Sequence, residues 1–111
     1  MFKDVIGDWP TQERFILTSC DEKYFNRYFP RFYKTFTKQW QLPIHVHVID
    51  PSQQSLEHMN RLGVSHTHCK TDDGILKWPY SYETYCQAQR FILLGHRALE
   101  TQSVIVADVD A

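Results

Sequence analysis

Hydrophobic and polar positions change period several times along the chain, and each change marks an element. Arg14 to Ser19 is a short apolar run that ends in small polar residues, which predicts a first strand. From Cys20 to Trp40 the period becomes helical. Phe25, Phe29, Phe32, Phe36 and Trp40 recur three or four apart and make one apolar stripe. Pro30 lies inside that stretch and predicts either a kink or the start of a second helix. Leu42 to Asp50 alternates and stops at Asp50-Pro51-Ser52, as a second strand closed by a turn. Ser52 to Leu62 places Leu56, Met59 and Leu62 at helical spacing, with Gly63 as its C-terminal cap. Val64 to Cys69 reads as a third strand and Thr71 to Pro79 as a loop. Tyr82 to Leu99 reads as a third helix, with Tyr85, Ala88, Gln89, Ile92, Leu93 and His96 on one face and Phe91 and Leu99 extending it. Val104, Ile105 and Val106 then predict a short strand buried on both faces.

Strands joined by helix-length connections pair in parallel with right-handed crossovers. The pattern therefore predicts an α/β domain of three layers, α/β/α, around a mostly parallel sheet of about four strands. Residues 1–12 are polar and mixed, with Gly7, Trp9 and Pro10 breaking any period. They read as a lead-in segment that Trp9 anchors on the domain.

Composition narrows the class. A chain of 111 residues with 42% apolar residues suits one domain with a modest core. No apolar run approaches the ~20 residues of a membrane span, and the N-terminus has no signal-like apolar region. Cys20, Cys69 and Cys86 are odd in number and irregular in spacing, which predicts reduced thiols and a cytoplasmic location. A formal net charge of -1 gives no support for a nucleic-acid partner.

The richest candidate chemistry follows the last strand. Asp108 and Asp110 lie two apart, and in an extended chain they point the same way. Carboxylates at the end of a buried strand are costly unless a cation meets them. A hard divalent ion carrying a phosphate on its far side answers that need. Ligands of open α/β sheets gather at the carboxyl ends of the strands, where these acids fall. Two His pairs, His45/His47 and His66/His68, each face one side of a strand, and neighbouring strands bring all four together if the faces agree. Such a group would suit zinc or copper; the plainer reading is a half-polar rim of the sheet. Arg27, Arg31, Lys34 and Lys38 form a basic stripe that reads either as a solvated helix face or as a surface for phosphates or an acidic membrane. Gly-rich phosphate loops and a nucleophile elbow are missing. Nothing marks a base beside Cys20, which reads as a buried thiol.

Taken in order, these pieces resemble the N-terminal, donor-binding half of a GT-A glycosyltransferase, nearest to the retaining galactosyltransferase and glycogenin-like group. Thr18-Ser19-Cys20-Asp21-Glu22-Lys23-Tyr24 is similar to that family's first strand end, and His47-Val48-Ile49-Asp50 to its second strand and acid. Tyr85-Cys86-Gln87-Ala88-Gln89-Arg90 is similar to its helix with an inward Arg, and Val104 to Asp110 to its last strand and Asp-x-Asp. The resemblance implies a Rossmann-like fold and one minimal nucleotide-sugar-binding domain over residues 1–111. It implies a metal-dependent glycosyltransferase that uses a UDP-sugar donor and transfers or hydrolyses the sugar. The alternative is a binding or regulatory module without turnover.

By the same resemblance Asp108 and Asp110 would hold manganese or magnesium on the diphosphate, and the backbone near Val109 would contact the ribose. Thr18, Ser19 and Asp21 would surround the uracil, Tyr24 would stack on it, and Asp50 would belong to the nucleotide site. Arg90 would sit near the sugar or phosphate. Lys77 has no counterpart in the family and is included as a loop cation able to meet phosphate. The metal would stabilise, as a Lewis acid, the charge growing on the leaving diphosphate, and Arg90 would add to that. The family's acceptor half has no counterpart here, so water, diphosphate or the Ala111 carboxylate would complete the metal shell. The closing strand would leave an unpaired edge or an uncovered apolar face, where a second copy or a partner subunit is expected.

Overall fold

A computed structural model describes residues 5–71, 88, 91, 93–95 and 97–110. β1 is only Ile6–Gly7, and it pairs antiparallel with β4, Ser65–Cys69, through Ile6 with His68 and Gly7 with Thr67. Gly7 has φ +112, and a Cβ there would lie 2.6 Å from the His66 carbonyl oxygen, so only glycine permits this approach.

The four other strands are parallel neighbours: β2 (Arg14–Asp21), β3 (Ile44–Ile49), β4 and β5 (Ser103–Val106). The sheet order is β1-β4-β3-β2-β5. The four predicted strands are thus present in a five-stranded sheet, and the fifth comes from the segment read as a lead-in. Trp9 does anchor that segment. Its ring lies 5.4 Å from Phe15 and 5.1 Å from His45, and its Nε1–H donates to Gln102 Oε1 at 3.1 Å. The Gln102 amide donates back to the carbonyls of Pro10 and Gln12, so one side chain ties the lead-in to the start of β5.

α1 runs unbroken over Glu22–Trp40 with Pro30 inside it. Pro30 sits on an exposed turn, where water can serve the carbonyl that proline leaves without a helical donor. The apolar stripe becomes a ladder of rings: Phe25–Phe29 at 5.0 Å, Phe29–Phe32 at 6.0 Å and Phe32–Phe36 at 4.4 Å. Trp40, 52% exposed, leaves the core at the helix end. α2 (Gln53–Leu62) ends at Gly63 with φ 69, as its sequence predicts, and begins at Ser52, whose side chain caps it by accepting the Ser55 N–H.

Register assigns the two faces of the sheet. Ile16 and Cys20 of β2 and Ile44, Val46 and Val48 of β3 share a core with Phe25, Phe29, Phe32 and Met59 of the two helices. Phe15, Leu17, His45, His47, Ile49 and Thr67 point to the opposite face and are also buried. β3 is therefore enclosed on both sides, where its alternation suggested one polar side.

Two expectations fail at the far end. β5 is not buried on both faces. It is the sheet's edge beyond β2, its residues alternate between exposed and half-buried, and Ile105 is 42% exposed. The described part of the third helix (88, 91, 93–95 and 97) buries Leu93, but Phe91 and Leu99 are 58% and 61% exposed and do not extend that face. Tyr85, Gln89, Ile92 and His96, and the loop from Asp72 to Pro79, lie outside the described residues. No described helix is long and apolar enough to cross a membrane.

Candidate functional site at the carboxyl ends of the strands

The parallel strands run, in space, third, second, first, fourth. The order reverses between β2 and β5, the place where open α/β sheets leave a crevice at the carboxyl ends. The Ala107 N–H donates to the Leu17 carbonyl at 3.0 Å, which sets the residues after β5 beside the end of β2.

At that end Thr18 and Ser19 are buried, at 0% and 6% exposure, and neither hydroxyl has a hydrogen-bond partner among the described residues. A buried hydroxyl left in this state costs about 1–3 kcal/mol. Successive side chains of a strand alternate, so the two face opposite sides of β2 and only one can meet a ring lying against the sheet.

The next residues have structural duties that the sequence reading did not name. Asp21 is the N-cap of α1 and accepts the Tyr24 N–H at 2.9 Å. Tyr24 is 45% exposed and lies 5.4 Å from the Tyr28 ring. Glu22 reaches from α1 to the start of α2, accepting the Ser52 N–H and, at 2.8 Å, the Ser55 hydroxyl. Ser52, through its side chain first, holds the Glu22 carboxyl below its usual range against the opposing effect of desolvation, with the Ser52 N–H and the Ser55 hydroxyl adding to the lowering. Asp50, at φ 54, accepts the Thr71 N–H and the Thr71 hydroxyl, both at 2.7 Å. It thereby pins the chain leaving β4 to the end of β3.

The two acids after β5 depart from the expected geometry. The strand ends at Val106, and Val109 and Asp110 lie in a turn rather than an extended chain. Val109 is 5% exposed and joins the core under α1, while Asp108 and Asp110 on either side of it are exposed. The burial cost that seemed to demand a cation is therefore absent. Among the described residues no three His, Cys, Asp or Glu side chains converge to hold a metal ion. Asp108 and Asp110 are the exposed carboxylates that would have to hold a hard cation, with waters or phosphate oxygens completing its shell. Lys77, Arg90 and Ala111 lie outside the described residues.

The His pairs resolve by register. Val46 pairs with His66 and His47 with Thr67, so His45 and His47 face one side of the sheet and His66 and His68 the other. The four do not meet. His45 and His47 instead thread a buried chain of hydrogen bonds with β4. His45 Nδ1 lies 2.7 Å from the Ser65 hydroxyl and Nε2 lies 2.9 Å from Thr67 Oγ1. His47 Nδ1 lies 2.8 Å from the same Oγ1, and Nε2 lies 3.2 Å from Cys69 Sγ. The Thr67 hydroxyl carries one proton, so at least one of the two rings donates to it. Burial above all drives both imidazoles down to about 3, with His66 and Arg97 adding repulsion at His45. At His47 the added repulsion comes from His45, His68 and Arg97. Both rings are neutral near pH 7. The rim reading of these residues is thus replaced by a core one.

Comparison with family models, with curated proteins and with solved structures finds no match to this chain.

Proposed function

We propose that the protein is a metal-dependent glycosyltransferase that binds a UDP-sugar at the crevice between the ends of β2 and β5. The observation that carries the reading is the coincidence at one sheet reversal of two buried, unpartnered hydroxyls and two exposed acids. A nucleoside lying on the strand ends would give the hydroxyl on its side a polar partner. Asp108 and Asp110 would hold manganese or magnesium against the diphosphate, and the ion would stabilise the leaving group's charge as a Lewis acid. The exposed Tyr24 ring offers a stacking surface beside the Asp21 cap. In this reading the sheet with its helices is the Rossmann-like, three-layered donor half of a GT-A fold, and β5 is the edge to which a partner surface adds.

The test is release of UDP from a panel of UDP-sugars with manganese, with and without simple sugar acceptors. UDP appearing with manganese, and lost in Asp108→Asn, supports turnover. Binding without any product moves the protein to the second reading, a nucleotide-sugar binding module. Neither binding nor product removes both.

A further inference from the structure

The cations of α1 take no part in the site above, and their placement is unusually regular. Lys23, Arg27, Arg31, Lys34 and Lys38 are all exposed. At about 100° per residue they fall within an arc of roughly 80°, opposite the stripe of Phe25, Phe29 and Phe32. They cover about 22 Å of helix at ~1.5 Å per residue. Among the described residues none is paired with a carboxylate; Arg27 instead lies over the Tyr28 ring at 5.3 Å. α1 carries five of the 12 Lys and Arg and, of the 13 acids, Glu22 alone, which makes the helix +4. Since the whole chain is -1, the remainder is -5. A near-neutral composition conceals a strongly divided molecule.

We propose that α1 is a docking face for an anionic lipid surface, with its row of cations against the headgroup phosphates. A flat surface can meet all five cations at once because they share one narrow, convex, outward strip. A nucleic-acid strand fits less well. It would extend past the single helix onto a body of charge -5, whereas a lipid plane touches the basic face alone. Docking leaves the packed side of α1 undisturbed, so it does not require the sheet to open. The proposal does not rest on the donor site.

The test is co-sedimentation of the whole chain with vesicles of phosphatidylcholine alone and of phosphatidylcholine with phosphatidylserine, at two salt concentrations. Each cation near an anionic surface contributes about fivefold in partitioning. The proposal predicts binding to the anionic vesicles only, weakened by salt, and at least ~100-fold weaker in Arg27→Glu/Arg31→Glu/Lys34→Glu. These positions are exposed, and circular dichroism checks that the variant is folded. Absence of binding, equal binding to neutral vesicles, or unchanged binding by the folded variant overturns it. Tighter binding to a single-stranded oligonucleotide than to vesicles, lost in the same variant, overturns the lipid assignment in favour of nucleic acid.

Discussion

Acid should weaken this protein markedly before its carboxylates are protonated. His45 and His47 are fully buried and neutral, their protonation displaced by burial from the ordinary 6.5 to about 3. The unfolded chain takes up both protons as pH falls through 6.5, and the folded chain does not. Stability is therefore fully present above about pH 6.5 and is lost progressively down to about pH 3. Each unit of displacement is about 1.36 kcal/mol per group, so at pH 5 the two rings together cost about 4 kcal/mol. That is a large part of the 5–15 kcal/mol typical of a domain. His68, also held below its ordinary value by partial burial, adds to the same slope. The assay is urea unfolding followed by circular dichroism at pH 7 and pH 5. A His45→Asn variant should show about half the slope with pH whatever its absolute stability. Equal stability of the wild type at the two pH values would refute the buried, neutral chain of imidazoles.

Other perturbations separate the parts of the structure. Thr67→Val keeps the volume but strips the hydroxyl between the two rings, and should cost about 2–4 kcal/mol in urea unfolding as buried ring nitrogens lose a partner. Gly7→Ala brings a Cβ within 2.6 Å of the His66 carbonyl and should detach β1, seen as faster amide exchange at residues 5–9 with the parallel strands unaffected. Asp21→Ala should cost about 1 kcal/mol through the lost cap of α1, and under the proposed function it should also weaken UDP binding.

The local elements were legible in the sequence because short-range chemistry fixes them. The aromatic stripe of α1, the Gly63 cap of α2 and the β-branched runs all act within a turn or two. What was not legible depends on pairing across the sheet. The sequence marks His45, His47, His66 and His68 as alternating pairs, but only the β3–β4 register decides that they point apart, and a shift by one residue would have brought them together. The partners that satisfy His45 and His47 are Ser65, Thr67 and Cys69, which look like unremarkable strand residues. Likewise Val104 to Val106 have the composition of an interior strand, yet sheet order places them at an edge. Asp21, Glu22 and Asp50 are marked by the sequence as acids near strand ends. Their work in joining α1, α2 and the segment after β4 becomes visible only once those ends are neighbours.

The donor site is the central claim, and calorimetric titration of UDP into the whole chain tests it most directly. A metal-dependent donor site predicts binding in manganese, loss of that binding in chelator, and loss again in Asp110→Asn, with a matching rise in melting temperature only where binding occurs. UDP that fails to bind with manganese present, or binds equally well to Asp110→Asn in chelator, would contradict it.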